Sequence, residues 1–265
     1  MSDFVDSPKN PPPTGAADRA LRRFARFSYH ACVAVLLAIA ASALGCALAP
    51  ALWVWHEGSV WSATLPSWSR YLGAGLSLSA AFFTFGFALI VIVPIYNFVL
   101  PTRVKPFKGG YYTIHAVPWV LHNVLFYLVR YTFLPFVTLT PFGTWFLKAM
   151  GMTIGRHSFV NTELISDPRL ITLGDDVTLG GSVRIFAHYG GGGNLVISPV
   201  VVEDRATVGI GVTIMGDVRI GKNAVILAHS ALLPGSRVGE GETWAGVPAR
   251  PISREEMVQI KAETR

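Results

Sequence analysis

Charge is what this chain lacks most. Only 14% of its 265 residues are charged, against 51% hydrophobic, a balance that excludes an ordinary soluble enzyme of this length. The scarcity is concentrated, because no Asp, Glu, Lys or Arg occurs from Ser28 to Trp55 or from Tyr71 to Thr102. Cysteine is also rare. Cys32 and Cys46 both fall in the first of those runs, which excludes a disulfide framework and leaves them as small packing residues. No metal-ligand spacing, phosphate-binding loop or serine-triad signature is present, so no metal is expected.

Each uncharged run exceeds the ~20 residues that cross a bilayer core. Trp53, Trp55, Trp61 and Trp68 cluster at one end of the pair, as interfacial aromatics do, which favours a transmembrane hairpin over two buried helices of a soluble domain. The first run is too long, and its basic flank too deep in the chain, for a cleaved signal peptide. Arg19, Arg22, Arg23 and Arg26 precede the hairpin and Arg103, Lys105 and Lys108 follow it, while the connecting loop holds only Glu57 and Arg70. The positive-inside rule then places both ends in the cytoplasm. This topology accounts for much of the net charge of +6, so nucleic-acid binding is not inferred. Residues 1–27, with Pro11 to Pro13, read as a disordered cytoplasmic tail. The hairpin occupies 28–102. Residues 103–150, rich in aromatics and interrupted by Pro118, Pro135 and Pro141, read as short amphipathic helices at the membrane interface, with a re-entrant span as the alternative.

From residue 151 a different period takes over. Val202, Val208, Ile214, Ile220, Ile226, Leu232, Val238 and Trp244 recur every sixth position, with Ile154, Val160, Leu173, Leu179 and Ile185 in earlier phases. A six-residue period suits neither an α-helix nor a hairpin array. It suits a parallel β-helix in which three hexads make one triangular coil, each sixth residue pointing inward. The β-helix spans 151–252. Ser253 and Glu256 form a capping box that opens a C-terminal helix over 253–265.

These hexads resemble those of the left-handed β-helix hexapeptide-repeat transferases. The run Thr140, Pro141, Phe142, Trp145 to Lys148, Gly151, Ile154 and Gly155 further resembles the β-helix entry of membrane-embedded members, including the tandem C-terminal domains of polylysine synthetase-type nonribosomal peptide synthetases. The hexads break after Ile185, Phe186, Ala187, His188, and resume at Val202 after Tyr189 and four glycines, Gly190 to Gly193. That order is similar to acetyltransferases of the maltose and galactoside type, whose catalytic histidine matches His188. The resemblance implies that His188 is a general base. Neutral imidazole can take the proton of an attacking hydroxyl or amine near working pH. The glycines read either as a flexible linker or as a loop shaped to substrate.

Glu163 and Asp167 are candidates to orient His188, directly or across a subunit boundary, although each also reads as a turn former or solvated charge. Asn161 and Thr162 are candidates for substrate binding, and His229 for donor contact or trimer packing. The stretch Trp244 to Ile252 is similar to the closing motif of acetyl-coenzyme A-dependent members. It implies a donor site with Lys222 and Arg250 as phosphate partners beside Trp244. The family resemblance also implies a homotrimer with sites between neighbouring β-helices. The expected activity is acyl transfer at the cytoplasmic face of a bacterial-type inner membrane, from acyl-coenzyme A to a membrane-associated acceptor. Two alternatives stand beside it: amide formation from a phosphopantetheine thioester on a separate carrier protein, and a noncatalytic trimeric scaffold.

Overall fold

The uncharged runs become two long helices and the hexads become a solenoid. The computed structural model describes residues 15–23, 25–111, 113–253 and 255–256. Helix α1 (Ala16–Arg23) leads into α2 (Ala25–Ala63) and α3 (Ser67–Val99). The latter two are long and apolar enough to cross a membrane. Large apolar side chains such as Leu52, Leu72 and Phe98 stand on their exposed faces. Small residues join the pair: Ala43, Ala47 and Ala51 of α2 are buried, as are Gly73, Ser77 and Ala81 of α3, each set at four-residue spacing. A Cβ on Gly58 would overlap Ser77 across the seam. Close backbone approach through small residues gains dispersion contacts without needing a hydrophobic driving force.

Two expectations change here. Helix α1 lies within the stretch expected to be a disordered tail, because Ala16 to Arg23 holds neither Gly nor Pro and is rich in Ala, Leu and Arg, strong helix formers. Residues 1–14 of that tail lie outside the described residues. Glu57 and Arg70 belong to α2 and α3 themselves, and only residues 64–66 connect the helices. Charge marks the edge of an apolar run, whereas the helix continues until its backbone bonds end.

Residues 103–150 pack one face against the rest of the chain. They begin with a strand, Phe107–Gly110, followed by α4 (Val117–Arg130), α5 (Leu134–Val137) and α6 (Pro141–Ala149). Pro118, Pro135 and Pro141 each sit in the first turn of a helix, where a missing N–H is harmless. Leu125, Phe126, Val129, Phe133 and Phe146 are fully buried in one core that runs from Leu89 and Val93 of α3 into the solenoid. Phe133 packs so closely on α3 that a Cβ on Gly86 would overlap its ring. The segment bridges α3 and the solenoid with one face buried, while Tyr131, Phe136, Leu139, Phe142 and Trp145 remain exposed on the other.

The solenoid has about five turns and three parallel ladders, one per face. Val202 aligns with Ile220 and Ile220 with Val238, a coil of eighteen residues. The stacks Leu179–Val208–Ile226 and Ile185–Ile214–Leu232 fill the other two faces. All of these residues are buried, and Trp244 packs against them from the last turn. Corners are made by residues with positive φ, among them His157, Asp176, Arg205, Asn223 and His229. Between Leu173 and Val202 the coil is lengthened by an antiparallel hairpin, His188–Gly191 with Asn194–Ile197, to which Phe107–Gly110 adds a third strand. The glycines are therefore ordered, and neither of the two sequence readings described a hairpin. Gly192 and Gly193 form its tip with φ of 59° and 81°, the left-handed conformations a tight hairpin needs. Ser253 and Glu256 bond reciprocally, Glu256 N–H to Ser253 Oγ at 3.2 Å and Ser253 N–H to Glu256 Oε2 at 2.8 Å. The helix expected beyond them falls mostly outside the described residues.

Candidate functional site

Where the third face of the coil gives way to the hairpin, His188 meets Asp167. His188 follows the strand Arg184–Phe186. Asp167 follows Ile165–Ser166, which pairs directly with Ile185–Phe186. Stacking of consecutive coils thus brings together two residues from different turns. Nδ1 of His188 lies 2.5 Å from Oδ2 of Asp167. The Asp167 side chain is completely buried, whereas that of His188 retains 22% of its exposure. Asp167 holds a left-handed backbone, φ 60° and ψ 50°, which Asp and Asn tolerate better than most residues.

Helix α4 completes the arrangement. Trp119 Nε1–H donates to Asp167 Oδ1 at 2.7 Å, and Asn123 Nδ2–H donates to the same oxygen at 2.9 Å. Both oxygens of Asp167 therefore act as acceptors. The His188 proton then belongs on Nδ1, which leaves a lone pair on Nε2. The Trp119 ring stands edge-on to His188 with centroids 5.1 Å apart, restricting how the imidazole turns. One helical turn further, Tyr127 OH and Arg130 Nη1 both reach Ser166 Oγ at 3.1 Å. Arg130 is buried, and its guanidinium lies 5.3 and 5.2 Å from the ring centroids of Tyr127 and Tyr131.

The other sequence candidates are dispersed. Glu163 is half-buried, and His188 takes Asp167 instead; a turn-forming Asp–Pro pair turned out to aim its carboxylate inward. Thr162 spends its hydroxyl on the backbone, donating to Val183 O at 2.7 Å and accepting from Leu164 N–H at 3.0 Å. Asn161 contributes its backbone N–H to the ladder at Leu179 O. His229 is exposed at a corner between the second and third faces, with its ring over Gly211. The three donor-site candidates are bonded within the chain. Lys222 lies 3.2 Å from Asp204, Trp244 donates to Glu242 at 2.8 Å, and Arg250 pairs with Glu256 at 3.0 Å. Trp244 and the Gly239 N–H hold the Glu242 carboxyl below its usual range. The Ser253 N–H, then Arg250, do the same for Glu256. Among the described residues of one chain, no three His, Cys, Asp or Glu side chains gather as a metal site.

Sequence reasoning missed Trp119 and Asn123. A signal existed: Trp119, Asn123, Tyr127 and Arg130 fall at helical spacing, a polar stripe on an otherwise apolar helix. His122, next to this stripe, is fully buried, with Nδ1 at 2.8 Å from Asn97 Oδ1 of α3. Burial lowers its pKa to about 4, against an opposing influence from Asp167. Below pH 6.5 the unfolded chain takes up a proton here that the folded chain refuses until about pH 4, so stability falls as pH drops through that window. The loss approaches roughly 3 kcal/mol at the low end. Thermal unfolding in neutral detergent should show this decline, and His122→Gln should flatten it. An unchanged slope in that variant would assign the acid sensitivity to other groups.

No family model matches the chain. Over 91 residues it is 36% identical to gamma carbonic anhydrase 2, mitochondrial, of Arabidopsis thaliana, a match covering 33% of this chain and 28% of that protein. Over 107 residues it is 29% identical to delta-poly-L-ornithine synthetase of Acinetobacter baumannii (strain AB307-0294), covering 40% of this chain and 8% of that protein. The chain thus spans less than a third of the length of these curated relatives. Among solved structures, it is similar to a hexapeptide-repeat-containing acetyltransferase from Vibrio cholerae O1 biovar eltor complexed with acetyl coenzyme A. That likeness has a TM-score of 0.37 and 19% identity, and covers 42% of this chain and 75% of the other.

Proposed function

We propose that the chain is a membrane-anchored acyltransferase with a left-handed β-helix, and that His188 is its general base. The observation that carries this reading is the 2.5 Å contact between His188 and the buried Asp167, because an imidazole oriented by a carboxylate is the arrangement that activates a weak nucleophile. In the proposed reaction Nε2 of His188 takes the proton of an acceptor hydroxyl or amine as that group attacks a thioester carbonyl. The tetrahedral intermediate collapses with cleavage of the C–S bond, and the imidazolium returns its proton to the departing thiolate. Backbone N–H groups of the neighbouring turns and hairpin can hold the oxyanion. The donor is acyl-coenzyme A, and the acceptor is membrane-associated. Lys222, Trp244 and Arg250 would serve the donor of an adjacent subunit in a homotrimer, with α2 and α3 anchoring each chain in an inner membrane.

A second reading has its own support. The similarity to delta-poly-L-ornithine synthetase favours a thioester carried on a separate protein and an amine acceptor. Calorimetric titration of the purified chain in nanodiscs distinguishes the two. Micromolar binding of coenzyme A, weakened about tenfold by Arg250→Ala through loss of a phosphate partner, is the expected result. No heat with coenzyme A, together with binding of a phosphopantetheinylated carrier protein, would replace the first reading by the second.

A further inference from the structure

Near the dyad lies an open cavity of about 740 Å³, bounded by the end of α3, the start of α4 and the hairpin. Its walls differ in character. Phe98 and Val99 form an apolar rim, 84% and 73% exposed, continuous with the outer face of α3. Arg103 and Lys105 line the next section, both exposed, and no Asp or Glu lines the cavity. Neither cation is paired with an acid among the described residues. Trp119 and Ile197 form the inner wall, backed by the small core of Val104, Ala116 and Leu195.

That inner wall is shared with the dyad. Trp119 is the residue that donates to Asp167, and Ile197 is the direct cross-strand partner of His188, so the two side chains lie on one face of the hairpin. The cavity therefore runs from an apolar rim, past two cations that pair with no acid among the described residues, to the Trp119 ring that stands edge-on to His188. Each section selects part of one molecule. An alkyl chain suits the rim, a phosphate suits Arg103 and Lys105, and a polar headgroup beyond the phosphate would lie against the Trp119 ring beside His188.

We infer that this cavity is the acceptor site and that it takes a lipid phosphate. The role of the headgroup as acceptor rests on the acyl-transfer reading above; the binding of a lipid phosphate does not. Native mass spectrometry of the full chain in a neutral maltoside detergent tests it, with phosphatidic acid as probe and with diacylglycerol of the same chains and inorganic phosphate as comparisons. Phosphatidic acid should be retained at least about tenfold better than either comparison, since only it engages both rim and cations. Arg103→Ala with Lys105→Ala should remove that advantage. Arg219→Ala with Arg237→Ala, an equal loss of charge at side chains outside the cavity, should leave it within about twofold. Equal retention by the Arg103/Lys105 variant, equal loss in the Arg219/Arg237 variant, or full competition by inorganic phosphate would each overturn the lipid site. His188→Ala should retain phosphatidic acid fully. Wild-type turnover in that variant would overturn His188 as the general base while leaving the lipid site standing.

Discussion

Replacing His188 with Ala is expected to lower acyl transfer by about 10²–10⁴-fold, the range a positioned general base contributes. The imidazole, 22% exposed, and the buried Asp167 behind it place a side-chain base where an acceptor can approach. The substitution removes a ring whose neighbours, Trp119 and Phe186, pack on it only edge-on, so the fold should persist. Turnover should be measured with a chromogenic thiol assay in nanodiscs, alongside the thermal midpoint. A large loss of kcat with little change in donor binding identifies a group acting on the reacting atoms. Turnover within about twofold of wild type would direct attention to another base.

The second large effect concerns Asp167, where two substitutions should separate chemistry from stability. Asp167→Asn suits the left-handed backbone at φ 60°, and its side-chain oxygen can still accept from Trp119 and Asn123. Its amide NH₂ would then face His188 Nδ1 and donate to it, forcing the proton onto Nε2. An imidazole in that tautomer cannot take a proton from the acceptor, and activity should fall roughly 10²–10⁴-fold with the thermal midpoint nearly unchanged. Asp167→Ala instead leaves two buried donors without their acceptor and strains the backbone, for a loss of roughly 3–5 kcal/mol in stability. Asn with full activity would show that Asp167 serves only packing. Ala with an unchanged midpoint would show that the Trp119 and Asn123 bonds carry no net stability.

The two Asp167 variants also show where sequence reading runs out. Asp167 was visible as a candidate, yet Asp followed by Pro also describes an exposed turn, and nothing in the local chain distinguishes a carboxylate aimed at water from one aimed at a histidine twenty-one positions on. Glu163, equally acidic and equally near in sequence, lies four residues earlier on the same coil and is not the partner. Trp119 and Asn123 were harder still, because they reach the site from a helix outside the repeats. The hairpin shows the same limit. Four glycines allow many conformations; Gly190 and Gly191 pair with Leu195 and Asn194, on a strand whose other edge pairs with Phe107–Gly110, some eighty residues away in the chain.

By itself the sequence determined the two long apolar helices and the phase of every coil from Ile154 to Trp244, since both rest on periodicity, which local burial enforces residue by residue. It also singled out His188, through the break in that periodicity. The tertiary structure alone decided which carboxylate meets the histidine, that α4 supplies the donors holding it, and which side chains of residues 103–150 enter the core. Those outcomes depend on contacts between segments far apart in the chain, and one amino-acid pattern can satisfy either a solvent-facing or a buried position until a partner surface is present to choose between them.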